Sequence, residues 1–325
     1  MSKVGGGRNF GYGKKITWAA KNALNDRYGT GHFSTQASHE WRWKIFADYL
    51  KTECGIKDAR DIDQGALEKY GGYLKQQVQT KSMAVAYAQN LLSTVNIVLE
   101  TMRKDTLLRM SPSEWVGKRS SVRSTSPSTA QAGAGSVLSS ELDRAFKTLE
   151  LKNGRSLILV ASLCREYGLR FKEASLLNTQ RALRQAKTQG RINITEGTKG
   201  GRGKHADRWV PVTPRGLKLL QEASKLQGRN KNLIPERHNY VQWRDHAYSQ
   251  WRLATHNTDI RGFHGLRAAY ACERYEQITG CPAPVLTDNK RTAERSLDQK
   301  ARIIIALALG HGRPQILAAY IGTAK

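Results

Sequence analysis

From residue 38 to residue 110 the apolar positions recur at helical spacing. Trp43, Phe46 and Leu50 share one face, Leu67, Tyr70 and Leu74 a second, and Val85, Ala88, Leu92, Val95 and Leu99 a third. This pattern predicts three or four amphipathic helices, with Gly55 and Gly71-Gly72 at helix ends or kinks. Residues 1–33 are rich in Gly and basic residues and show one short helical stretch, Ile16 to Leu24. They read as a mobile arm or a DNA-tracking extension. Residues 111–136 hold Pro112, Pro127, Gly133, Gly135 and many serines with little apolar pattern, the composition of an interdomain linker.

Beyond the linker a helix is expected over Glu141–Leu149, with Ser139-Ser140 as N-caps, and another over Arg155–Tyr167, stopped by Gly168 at the C′ position. Arg170 follows on the turn before a short run, Lys172 to Leu177. Alternation in Arg191-Ile192-Asn193-Ile194-Thr195 and in Arg208-Trp209-Val210-Pro211-Val212 predicts two strands joined by a basic, Gly-rich connection that carries Lys199, Arg202 and Lys204. Helical spacing returns at Tyr240, Trp243, Ala247 and Trp251, after His264, and over Lys300–Leu309. No internal repeat is evident. The expected class is mainly α with a small β component. The expected organisation is an arm (1–33), a helical domain (34–110), a linker (111–136) and a mixed α/β domain (137–325).

A length of 325 residues suits two domains, each with its own core. Against 27 Asp and Glu stand 53 Lys and Arg, a net charge of +26, so the expected partner is a polyanion, with nucleic acid foremost. No membrane partner is expected. The apolar run Ile303–Leu309 is far shorter than the ~20 residues that cross a bilayer, and the first thirty residues lack the apolar core of a secretory signal. Cys54, Cys164, Cys272 and Cys281 form no CxxC pair, which argues against a zinc ribbon or a disulfide scaffold and fits a reducing cytoplasm. Cys164, in an apolar run, reads as a small core residue.

Chemistry concentrates near the end of the chain, in His264-Gly265-Leu266-Arg267, Leu309-Gly310-His311 and Tyr320. Attack of an oxygen nucleophile on a phosphodiester builds negative charge on two non-bridging oxygens and on the leaving alkoxide. Arginine suits the former, because its planar fork donates paired, charge-assisted hydrogen bonds and stays protonated. Arg170 and Arg267 are the candidates. Lys199 is the candidate general acid for the leaving 5′ oxygen, with Lys204 as the alternative. Tyr320 needs neighbouring cations or a base to become a nucleophile, since a tyrosine is mostly protonated at neutral pH. His264 is the candidate base and His311 a donor to the phosphate. No cofactor and no metal is called for.

In Tyr167-Gly168-Leu169-Arg170-Phe171-Lys172-Glu173, Thr198-Lys199-Gly200-Gly201, Trp209-Val210-Pro211-Val212, His264-Gly265-Leu266-Arg267, Leu309-Gly310-His311 and Tyr320, taken in order, the chain resembles the tyrosine recombinases, the phage-type integrases. The resemblance covers roughly residues 137–325 by motif. It implies a clamp of a helical core-binding domain and a catalytic domain on double-stranded DNA. It also implies a site-specific recombinase that integrates or excises a mobile element through a 3′-phosphotyrosine on Tyr320, without ATP or metal. Arg170, Lys199, His264, Arg267 and His311 would surround the phosphate, and Glu173 would orient the pocket. A homotetramer on two DNA sites, accessory DNA-bending proteins and a cytoplasmic, nucleoid-associated location are implied as well. Three departures stand out. The separation of His264 and His311 is long, with extra length around Gly280 to Lys300 that suggests an inserted loop. Only Ile321–Lys325 follow Tyr320, where many relatives carry a terminal helix that docks on a neighbour. The connection also offers several cations near the general-acid position. Two other readings stay open: a DNA-binding architectural or regulatory protein without chemistry, and a type IB topoisomerase-like enzyme that reseals the strand it cuts.

Overall fold

The computed structural model describes residues 6–118, 127–130, 137–199, 203, 205–260 and 262–323. The chain divides into two compact units, residues 1–120 and 121–325. Both are mainly helical. Among the described residues the sheet is one antiparallel pair, and no helix is long and apolar enough to cross a membrane.

The first unit contains α1 (Ile16–Tyr28), α2 (Phe33–Glu53), α3 (Gln64–Gln79), α4 (Val85–Arg103) and α5 (Pro112–Val116). Trp43, Phe46 and Leu50 of α2, Leu67, Tyr70 and Leu74 of α3, and Leu92, Val95 and Leu99 of α4 form its core. Burying each such large side chain contributes roughly 1.5–3 kcal/mol.

Two expectations fail here for identifiable reasons. Residues 8–28 are not a mobile arm. Ala19, Ala20, Ala23 and Leu24 are fully buried in the core of this unit. The buried Asn9 exchanges hydrogen bonds with the loop ahead of α3, its N–H donating to Asp58 Oδ1 (2.9 Å) and its Oδ1 accepting from Ala59 N–H (2.7 Å). The apolar face of α1 is built largely of alanines, a weak signal in a pattern of large side chains. Gly71-Gly72 neither ends nor kinks α3. A Cβ on Gly71 would lie 2.7 Å from the Trp115 ring, so this glycine makes room for α5 to pack on the helix. Accordingly, part of the expected linker, Pro112–Val116, belongs to the first unit. Arg119 and Arg123 lie outside the described residues. Gly55, with φ +67 just past α2, stands at a helix end as expected.

The second unit contains α6 (Pro127–Ala130), α7 (Val137–Glu150), α8 (Arg155–Tyr167), α9 (Phe171–Leu176), α10 (Thr179–Gln189), β1 (Arg191–Asn193), β2 (Trp209–Pro211), α11 (Pro214–Gln227), α12 (Tyr240–Ala254), α13 (Gly262–Thr279), α14 (Arg295–Ala308) and α15 (Ala318–Ile321). Ser139 and Ser140 are helical residues of α7 rather than its caps. Strands β1 and β2 pair with Ile192 opposite Val210. Local chemistry sets several starts: Asn178 caps α10, Thr213 with Pro214 opens α11, and Asn239 and Gln242 form a capping box on α12. α8 is almost wholly buried and packs against α13 and α11, forming the centre of this unit.

Candidate active site

Four segments of the second unit, the start of α13 among them, come together at the site. The first is the α8–α9 junction. Gly168 takes φ +61 at the end of α8, and a Cβ there would lie 2.7 Å from Leu309, so a residue with a side chain does not fit. Two residues on, Arg170 caps α9 and Glu173 lies in its first turn. The fully buried Glu173 carboxylate accepts the Arg170 backbone N–H (2.8 Å) and its Nη1 (2.6 Å).

The second turn ends α14 in a Schellman motif. Gly310 N–H donates to Leu307 O (2.9 Å) and His311 N–H to Ala306 O (2.8 Å), with Gly310 at φ +68. Two arginines bind the remaining carbonyls of this helix end. Arg208 Nε donates to Ala308 O (2.7 Å), and Arg267 Nη2 donates to Leu309 O. Cations are favourable at a helix C-terminus, where carbonyl groups lack intrahelical partners. This is why Leu309-Gly310-His311 holds together: the glycine turns the chain back and leaves space for Arg208, whose Cδ would lie 2.9 Å from any Cβ at that position.

The third contribution is Arg267 itself, on the first turns of α13 and fully buried. Its Nη1 donates to Gly168 O and its Nε to the Tyr320 hydroxyl (3.4 Å), while Nη2 also lies 3.2 Å from His311 Nε2. Burial and the neighbouring Arg208 and Arg170 bring its pKa down to about 10, which leaves it charged at neutral pH.

The fourth is α15, which presents Tyr320. The hydroxyl lies 3.2 Å from His311 Nε2. The exposed His264 is a ring neighbour, 5.2 Å from the Tyr320 ring between centroids. Because guanidinium only donates, Nε2 of His311 is the unprotonated, accepting nitrogen. Burial, followed by Arg267, Arg170 and Arg208, lowers the His311 pKa from 6.5 to about 4, so the ring is neutral at pH 7. Its Nε2 is thus placed to accept a hydrogen bond from the Tyr320 hydroxyl.

Three arginines therefore converge on one carboxylate: Arg170 at 2.6 Å, Arg208 at 2.8 Å and Arg267 at 3.8 Å from Glu173. Arg208, Arg267 and Arg170 hold the Glu173 carboxyl below its ordinary value despite burial. With His311 neutral, the cluster carries more positive charge than Glu173 balances, which is the electrostatics of an anion site. The donors of Arg267 are largely committed to protein groups. The side chain of Arg170, 28% exposed, is the more accessible fork.

Arg208 is the member that sequence reasoning missed, having read it as the first residue of a strand. It is buried, and its Nη2 has no hydrogen-bond partner among the described residues. The available signal was a basic residue heading the otherwise apolar Trp209-Val210-Pro211-Val212 run.

Lys199 is exposed on the connection between β1 and β2. That connection leans on α9: Gly197, at φ +70, leaves no room for a Cβ, which would lie 2.7 Å from Lys172 O and 3.0 Å from Glu173 Cα. The base of the lysine-bearing segment is thereby fixed beside the carboxylate. Among the described residues no hydrogen bond joins Lys199 to the cluster. Lys204 and Arg202 lie outside the described residues.

Residues 125–273 match the family model described as "Integrase". Among solved structures the chain is similar to XerA recombinase, with 13% identity over 93% of each chain and a TM-score of 0.39. No curated protein matches.

Proposed function

We propose that the chain is a site-specific DNA recombinase of the tyrosine recombinase, or integrase, type, in which Tyr320 cuts and rejoins DNA through a 3′-phosphotyrosine, serving integration or excision of a mobile element; the match of residues 125–273 to the integrase family model supports this reading. The observation that carries the reading is the Tyr320 hydroxyl within hydrogen-bond reach of both a buried arginine, Arg267, and a neutral histidine, His311.

In this reading the Tyr320 oxygen attacks the scissile phosphorus and its proton passes to His311 Nε2. The Arg267 Nε–H opposes the charge that develops on the tyrosine oxygen, and Arg170 offers its fork to the non-bridging oxygens. The exposed His264, beside the tyrosine ring, takes the phosphate-contacting role. The P–O bond to the 5′ oxygen breaks, and that oxygen takes a proton from Lys199, or from Lys204 on the same connection. The 5′-hydroxyl of a second strand then reverses these steps, displacing Tyr320 and restoring a phosphodiester without any external energy source. Glu173 keeps three arginines close together without their mutual repulsion opening the pocket. The helical first unit takes the core-binding role on DNA, and a homotetramer on two sites, aided by DNA-bending proteins, is the assembly this chemistry calls for.

The test is to express wild-type and Tyr320→Phe chains in cells, strip them under denaturing conditions and sequence any DNA still attached. DNA recovered at a focused site only with Tyr320 present supports the reading. Equal recovery from the Phe variant, or none from either under conditions that trap a known recombinase, rejects it.

A further inference from the structure

The chain between α13 and α14 is a built element rather than a spacer. Gly280 closes α13, and Arg295 already belongs to α14, so the inserted portion is shorter than the sequence suggests. Ala283 and Pro284 are buried, and Val285 and Leu286 pack against the core of the second unit. The turn is closed internally: Thr287 N–H (3.0 Å) and Asn289 N–H (2.7 Å) donate to Pro284 O, and Lys290 N–H donates to Thr287 O (2.8 Å). Asp288 and Asn289 adopt φ 52 and 62, the left-handed region that Asn and Asp tolerate better than other non-glycine residues.

What this turn touches is the chain leaving Tyr320. Asn289 Oδ1 accepts the Thr323 N–H (3.0 Å). From the other side, Arg302 of α14 donates through Nη1 to the Gly322 carbonyl (3.2 Å). Both polar groups of a single peptide unit, two residues beyond the tyrosine, are therefore gripped. Arg302 is itself held, its Nε donating to Asp298 (2.9 Å), which also accepts the Tyr275 hydroxyl (2.7 Å). Gly322 has φ +86, and a Cβ on it would lie 2.6 Å from Asn289 Oδ1 and 2.7 Å from Val285 N, so the fit permits only glycine.

A nucleophile misplaced by about 1 Å can lose on the order of a hundredfold in rate, and α15 is only four residues long. We propose that the 283–290 turn and Arg302 form an intramolecular clamp on the Gly322–Thr323 peptide that sets the position of Tyr320 within its own protomer, with Asn289 as a positioning residue. The inference rests on Tyr320 being the nucleophile. The insertion thereby acquires a structural role, holding the tyrosine at its arginine and histidine partners before DNA arrives.

Two substitutions separate the side-chain contact from the backbone conformation. Asn289→Gly keeps the positive φ and removes the acceptor, whereas Asn289→Asp restores an acceptor. In the full chain, hydrogen exchange of the peptide spanning residues 314–323 should accelerate in the Gly variant by roughly fivefold to tenfold, the factor carried by one net hydrogen bond, and stay near wild type in the Asp variant. Unchanged exchange in Asn289→Gly, or equal loss in both variants, overturns the clamp. Covalent DNA recovered from cells should fall by a similar factor in Asn289→Gly with retention on duplex DNA unchanged, and return in Asn289→Asp. Undiminished covalent DNA in Asn289→Gly overturns the positioning role. Faster exchange in Asn289→Gly than in wild type, with no Tyr320-linked DNA formed by the wild-type chain, rejects the nucleophile reading and leaves the clamp contact standing.

Discussion

Nη1 of Arg208 lies 2.8 Å from Oε2 of Glu173, and both side chains are removed from water. The pair ties the residue ahead of β2 to α9 beneath the candidate active site. A buried carboxylate facing three arginines, two of them buried as well, balances repulsion that solvent screens little. Removing one partner of such a pair typically costs about 3–5 kcal/mol. Glu173→Gln should therefore destabilise the second unit by about that much in urea unfolding, and Arg208→Met in the same background should recover part of the loss. A loss under about 1 kcal/mol would mean that Glu173 is not the counter-charge.

Arg267 bridges Gly168, Leu309, His311 and Tyr320. Loss of a preorganised donor at a developing charge costs on the order of 10²–10³ in rate, so Arg267→Ala should slow single-turnover cleavage by at least that factor. Arg267→Lys should recover little, because an ammonium cannot reach four separate acceptors in a planar fork. Unaltered cleavage by Arg267→Ala would remove the residue from the chemistry.

His311 gives a pH signature. Its pKa in the folded chain is lowered from 6.5 to about 4 by burial and the nearby arginines. The unfolded chain thus binds the extra proton first as pH falls. The stability associated with a neutral His311 is fully present above about 6.5 and is lost as pH falls through about 4. Glu173, also lowered, acts in the same direction at more acidic pH. Thermal unfolding of the second unit should shift downward over this window, and His311→Gln should flatten the part above pH 4. The acid limb of cleavage should sit well below the ordinary histidine range and move upward in Arg208→Met, which removes one of the cations. An acid limb near 6.5 in the wild-type chain would contradict the half-buried, neutral histidine.

A net charge of +26 should make duplex binding depend steeply on salt. Each neutralised phosphate contributes about −0.9 to the slope of log affinity against log salt. Arg170→Ala should reduce that slope by about one unit if its partly exposed fork meets a phosphate. A flat salt response would contradict DNA binding through the basic surface.

The sequence by itself determined the helical faces of α2, α3 and α4, the end of α8 at Gly168, the paired strands and the order of Arg170, His264, Arg267, His311 and Tyr320. These are legible because each helix or strand buries one stripe at its own period, and because Gly, Pro and capping residues act within a few positions. Tertiary structure alone decided the rest. Arg208 joined the cluster because the ends of β2 and α14 meet across a large sequence separation. His311 became an acceptor because burial among arginines removed its proton. Residues 8–28 joined the first unit, and Gly71 stayed helical, because alanines and a glycine allow close approach by partners distant in sequence. The role of Gly322 emerges only where the turn at Asn289 closes on it. Local periodicity records which face of an element avoids water; it does not record which distant group will occupy the space beside it, and that group sets the charge, protonation and position of the side chains at the candidate site.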